Sequence, residues 1–181
     1  MPDTSQQYIA LIRGINVGKA KRIAMADLRD IVEALGGSNV RTLLNSGNVV
    51  FHAAKASCTS WGDQLSAAIM AKAGFTADVI VISAKDLQDA IAQEPFAGSA
   101  TDPSRYLLAF AKDKTVLEKC KSLEAVPAYA GQIAVGKKAV YLWCKDGVLD
   151  SAASKAFTRL AGTVSTSRNW ATALKLQAML D

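Results

Sequence analysis

A single histidine stands among the 181 residues, so a His-rich metal site has no ligands to draw on. The three cysteines, Cys58, Cys120 and Cys144, are too few and too scattered for a disulfide framework. No Cys-x-x-Cys or Cys/His spacing offers a zinc site, and no metal is expected. They read as unbridged thiols in a reducing cytoplasm. Four prolines and 12 glycines are too few for a collagen-like or low-complexity chain. Apolar runs are short: Tyr8–Ile12 and Val79–Ile82 fall far below the roughly 20 residues that cross a bilayer. The start, Met1 to Gln7, is polar and lacks a basic stretch, so no secretory signal is expected. The expected location is cytoplasmic, with no membrane partner.

What is present suits a globular fold. Half the residues are apolar, 20% are charged, and the net charge is +5. That supports one domain, or two small ones, around a real core. The mild positive charge is compatible with anionic metabolites or nucleic acid and decides between neither.

Tyr8–Ile12 reads as a buried strand ending in the turn-like Gly14-Ile-Asn-Val-Gly18. Met25, Leu28, Ile31, Val32 and Leu35 recur at helical spacing, and Gly36-Gly37 stops the helix. Strands at 40–44 and 49–51 flank Asn45-Ser46-Gly47-Asn48, a tight hairpin signal. A helix from about Thr59 to Gly74 and a strand at 78–82 follow. Ser83-x-x-Asp86 opens a helix carrying Leu87, Ala90 and Ile91. Residues 94–104, with Pro95 and Pro103, break the pattern. The same order then repeats: a strand at 106–111 and a helix opened by Thr115-x-x-Glu118. Strands at 132–135 and 139–143, a helix around Ala153–Leu160, a short strand at 163–166 and a helix capped by Asn169 complete it.

Each half is therefore β-α-β-β-α-β, the split βαβ plan. The expected fold is α+β: two tandem ferredoxin-like subdomains, mainly antiparallel, with helices on one sheet face. The boundaries are 6–94 and 104–181, with 95–103 as linker.

This topology makes a prediction about chemistry. If the first strand runs up, the second does too, so the hairpin turns at the end where the first loop leaves. Arg13, Gly14, Asn16, Gly18, Ser46, Gly47 and Asn48 then become neighbours. Glycines admit backbone N–H groups to a ligand, and the loop leads into a helix N-terminus. Arg13 offers a fork for carboxylate or phosphate. The arrangement reads as an oxyanion pocket; Asn/Gly loops are also the ordinary way to turn a chain. Neither a Walker A nor a dinucleotide fingerprint is present.

Catalytic groupings are poor. Ser46 has only His52, farther along the same strand, for a partner, and that geometry does not suit a triad. Cys120 and Cys144 read as buried structural thiols. A second polar cluster, Ser167-Arg168-Asn169-Trp170-x-Thr172, places a capped helix start beside an arginine. Trp170 reads either as a stacking surface or as packing. The basic excess lies in the second half, with 12 basic against 8 acidic residues in 91–181 and 9 against 8 before it. Lys112, Lys114, Lys119, Lys121, Lys137, Lys138 and Lys145 carry that excess, which reads as a solvated face or as a weak phosphate-backbone footprint. The strands lack the paired aromatics of RNA-recognition sheets.

Four segments, Tyr8-Ile-Ala-Leu-Ile-Arg-Gly-Ile-Asn-Val-Gly18, Met25-x-x-Leu28, Val40-Arg-Thr-Leu-Leu-Asn-Ser-Gly-Asn-Val-Val-Phe51 and Arg168-Asn-Trp-x-Thr172, together resemble the bacterial family catalogued as domain of unknown function 1697. The likeness runs from about residue 7 to 180. It implies a duplicated ferredoxin-like architecture and no established activity, substrate or cofactor. Family members usually continue Val-Gly-Gly, whereas Lys19 follows Gly18 here.

The expected function is binding of an anionic small molecule, a nucleotide or phosphorylated metabolite, at loops 13–23 and 45–48. Arg13, Asn16, Ser46, Asn48, Arg168 and Asn169 are the expected polar contacts, with Gly14, Gly18 and Gly47 shaping the backbone. The alternatives are nucleic-acid binding without catalysis and a protein-interaction module. The sequence assigns no enzyme activity, cofactor or oligomeric state.

Overall fold

The computed structural model describes residues 5–56 and 58–181. The polar start at Met1–Thr4 lies outside them. Two compact units emerge, one running to Ala84 and including Met179–Asp181, the other Lys85–Ala178.

The first unit holds β1 (Ser5–Ile12), α1 (Met25–Ala34), β2 (Ser38–Leu43), β3 (Asn48–Ala54), α2 (Cys58–Ala73) and β4 (Val79–Ser83). Its sheet has the order β2-β3-β1-β4, and every neighbouring pair is antiparallel. β1 is central: Ile9 lies opposite Val50 on one side and Ile82 on the other. Tyr8, Ala10 and Ile12 pack with Leu28 and Val32 of α1 and with Leu65 and Ile69 of α2. Ile9 and Leu11, of opposite register, are buried as well. Burial on both faces explains why β1 reads as an unbroken apolar run rather than an alternation. Tyr8, Phe51 and Trp61 form an aromatic knot, with Phe51 and Trp61 centroids 4.8 Å apart. Each such side chain is worth about 1.5–3 kcal/mol of burial.

The second unit repeats the plan. It contains α3 (Ala84–Ala92) from Lys85 on, β5 (Tyr106–Ala111), α4 (Lys114–Glu124), β6 (Ile133–Val135), β7 (Val140–Trp143), α5 (Ala152–Ala161), β8 (Ser165–Asn169) and α6 (Trp170–Gln177). The sheet order is β6-β7-β5-β8, again antiparallel. Leu107 and Ala109 of β5, with Val140 and Leu142 of β7, meet Val116 and Cys120 of α4 and Phe157 of α5. The architecture is α+β, two ferredoxin-like units in tandem.

Three local details differ from the sequence expectation. α4 begins at Lys114 and not after Thr115, because Asp113 accepts from the Thr115 and Val116 N–H groups as N-cap. β8 starts at Ser165, since Gly162–Val164 forms a 3-10 turn. The sequence places 84–94 with the first half, whereas Lys85 onward groups with the second unit. The Tyr141 hydroxyl donates to Ala90 O at 2.6 Å, and Lys138 pairs with Asp86. Burial pushes the Tyr141 phenol up to about 12, so it remains a donor at neutral pH.

Candidate functional site

The loop after β1 and the hairpin after β2 meet, as the strand order requires. Ile12 N–H donates to Gly47 O at 2.8 Å. Asn16 Nδ2 donates to Asn45 O at 2.9 Å and to Ile23 O at 2.9 Å, while its Oδ1 accepts from Ile23 N–H at 3.0 Å. One amide group thus closes the loop on itself and ties it to the hairpin. Asn48 is fully buried and donates to Leu43 O at 2.9 Å and to Ser46 Oγ at 3.1 Å. Gly47 sits at φ +83°, and a Cβ there would lie 2.9 Å from Ile12 Cβ. Only glycine fits this turn.

Asn16, Lys21, Asn39 and Leu44 are the non-glycine residues at positive φ among the described residues. Three of them fall on this loop and hairpin. Such conformations cost free energy and persist only where surrounding contacts enforce them. Here Asn16 bonds both chain segments, and Lys21 Nζ is held by Thr76 O at 3.1 Å.

Against this scaffold opens a cleft of about 490 Å³. Its walls include Asn16, Arg22 and Asn45, the start of α1 at Met25 and Asp27, and the end of α2 at Lys72 and Ala73. Ala24, the N-cap of α1, supplies no side-chain hydrogen bond. The first-turn N–H groups therefore bring partial positive charge to the cleft without a side-chain acceptor from the cap. Arg22 makes no ion pair or side-chain hydrogen bond among the described residues. Lys72 Nζ stands 3.4 Å from Asp27 Oδ1. Two cations, one carboxylate and a helix start leave the cleft net positive.

The other expected residues are placed as follows. Arg13 is half-buried, its N–H donates to Asp78 O at 2.9 Å, and it is not a lining residue of the cleft. Gly14 and Gly18 are exposed at φ +67° and +65°, with open space where a Cβ would sit. Ser46, Gly47 and Asn48 build the hairpin behind the cleft and do not line it. Arg168 and Asn169 belong to the second unit. Arg168 donates to Thr166 Oγ1 at 2.9 Å and Ser167 O at 2.8 Å. Burial lowers its guanidinium to about 10, which leaves it charged at neutral pH. Asn169 caps α6 by accepting from Thr172 N–H at 2.9 Å. Trp170 is packed, its ring stacked on Tyr106 at 4.6 Å. Lys72 carried no sequence signal; it reaches the cleft only because α2 ends beside α1.

Nucleophilic chemistry finds little support. Cys120 and Cys144 are buried, and burial pushes both thiols up, away from the reactive thiolate. His52 Nε2 lies 3.0 Å from Asp181 Oδ2, and its other nitrogen faces Asn39. Among the described residues no three His, Cys, Asp or Glu side chains are grouped as metal ligands would be.

The family model described as protein of unknown function (DUF1697) matches residues 5–141. The chain belongs to this family. The matched span covers the first unit from β1 through β4 and stops before α5, β8 and α6, so Arg168 and Asn169 fall outside it. A solved structure, the conserved bacterial protein SP0830 from Streptococcus pneumoniae, shares the fold with a TM-score of 0.76 at 22% identity. The likeness covers 98% of this chain and 99% of that one. No curated protein matches the chain. No helix of the described residues is long and apolar enough to cross a membrane.

Proposed function

We propose that this protein binds a small anionic ligand, a phosphorylated metabolite or nucleoside monophosphate, in the cleft beside the 13–24 loop. The observation that carries this reading is the convergence of Arg22, Lys72 and the start of α1 on one cleft of about 490 Å³. That volume lies within the usual range of small-ligand sites. A helix start with no side-chain cap offers N–H groups to an oxyanion, and two flanking cations add charge-assisted bonds. Asn16, Ser46, Gly47 and Asn48 serve as scaffold: their bonds hold the loop and hairpin that form the walls. The reading is binding, because Asp27, the sole carboxylate of the lining, is held by Lys72.

A thermal-shift screen over phosphorylated metabolites finds the ligand. At ~100 times its dissociation constant it adds about 2.7 kcal/mol of stability. Backbone amide shifts then locate it, and the largest are expected at Met25–Asp27. Arg22→Gln with Lys72→Gln abolishes those local shifts. Amide shifts that persist in the double variant would overturn the reading.

A further inference from the structure

We infer that the second unit carries a separate site for a small polyphosphate-bearing ligand, in the lysine-lined cleft between α4 and the β6–β7 hairpin. Lys114, Leu117, Glu118 and Lys121 are spaced i, i+3, i+4 and i+7, so they share one face of α4. Across from them run Val135, Gly136, Lys137 and Lys138, and the space between measures about 520 Å³. A Cβ on Gly136 would lie 2.9 Å from Tyr141 Cε2, and Gly136 N–H donates to Ala139 O at 2.8 Å. The absent side chain lets this hairpin close tightly and fixes where Lys137 and Lys138 leave the backbone.

Four lysines meet a single carboxylate in this lining. Glu118 is taken by Lys121 at 2.7 Å, and Lys138 is held by Asp86 of α3. Lys114 and Lys137 make no ion pair or side-chain hydrogen bond among the described residues. Both are exposed lining residues of the cleft. Ammonium groups are compact, adaptable donors and do not demand a planar acceptor, which suits phosphate oxygens. Several of them around one space repel each other unless the ligand carries more than one negative charge. No aromatic ring lines the cleft, so there is no platform for stacking a base. The ligand's recognised part is therefore its diphosphate or triphosphate group. Both clefts lie at the end of their unit where the first helix begins and the hairpin turns, the first between the α1 start and the α2 end, the second between α4 and the hairpin.

Calorimetric titration with inorganic pyrophosphate and triphosphate tests the inference, run on the chain carrying Arg22→Gln and Lys72→Gln so that the first cleft does not contribute. Saturable binding is expected at physiological salt. Adding Lys114→Gln and Lys137→Gln weakens it by about tenfold or more. Lys155→Gln, an exposed charge on α5, leaves it unchanged. No binding, or an equal loss on Lys155→Gln, overturns the inference in favour of diffuse charge. Binding of an oligonucleotide with none of pyrophosphate overturns it in favour of a nucleic-acid surface. Failure here leaves the first cleft standing, because that reading is scored on Met25–Asp27 amides in a chain whose Arg22 and Lys72 are intact.

Discussion

The same end of the two units is built in opposite ways. In the first, β1 and α1 are joined by residues 13–24, and α1 starts at Ala24 without a side-chain cap. In the second, Lys112 and Asp113 alone join β5 to α4, and Asp113 caps the helix. The long loop needs an internal staple, which Asn16 supplies; the two-residue loop needs none. An uncapped helix leaves its N–H groups available to a ligand, whereas a capped one has them filled by its own chain. Positive charge in the second cleft therefore comes from lysine side chains and in the first partly from the backbone. On the proposed readings, one topology serves two anions of different kind: a compact one in the first unit and a multivalent one in the second.

The hairpins offer the hardest way to break this comparison. Gly47→Ala forces a β-carbon against Ile12 Cβ and Ile12 O from a left-handed backbone. A loss of about 3 kcal/mol in a denaturant titration is expected. Gly136→Ala meets the edge of the Tyr141 ring without that backbone penalty, and about half the loss is expected. Equal losses would mean that the two turns are under the same constraint.

Removing the staple comes next. Asn16→Ala forfeits the bonds to Ile23 and Asn45 and is expected to cost about 2 kcal/mol, read by the same titration. It also loosens the wall of the first cleft, so ligand amide shifts there should weaken while pyrophosphate binding at the second cleft stays as it was.

Capping sharpens the contrast. Ala24 already has the extended backbone of a cap, at φ −70° and ψ 145°. Ala24→Asp should add about 1 kcal/mol of stability and weaken anion binding, because the new carboxylate occupies the same N–H groups. Gain of stability with unchanged binding would separate the ligand from the helix start.

The smallest effect is one of pH. Bonds from Thr115, first its hydroxyl and then its N–H, hold the Asp113 carboxyl below its ordinary value near 4. A depressed folded value means that the cap's stability is complete above the ordinary carboxylate range. It is lost as pH falls through the lowered value. Asp113→Ala should lower the melting temperature slightly at neutral pH, and the difference from the unaltered chain should vanish in acid.

The strand order and the meeting of loop and hairpin were legible in the sequence because they are consequences of topology. Tyr8–Ile12, the Asn45–Asn48 turn and the helical spacing from Met25 to Leu35 leave few ways to thread a split βαβ unit. Side-chain roles were less legible. Asn16 and Asn48 look like ligand contacts in a Gly/Asn loop, yet their amides are used by Ile23, Asn45 and Leu43, which only a folded loop presents. Lys72 enters the first cleft from the far end of α2. Asp86 and Lys138 tie α3 to the second unit across more than fifty positions of chain, beyond any local signal. The α4 cap lies two residues before the Thr115 that the sequence favours, because Asp113 and Thr115 are both good cap formers and only geometry chooses between them.

A single titration bears most directly on the claim that each unit carries its own anion cleft at the equivalent end. Backbone amide shifts of the unaltered chain are recorded as inorganic pyrophosphate is added at physiological salt. Two separate groups of shifting amides are expected: Met25–Asp27 with Asn45 in the first unit, and Lys114 with Gly136–Lys138 in the second. The second group should saturate at lower concentration, because two lining lysines, Lys114 and Lys137, stand outside ion pairs there against Arg22 alone in the first cleft. Shifts scattered over exposed lysines such as Lys55, Lys119 and Lys155, or none at either end, would contradict the account.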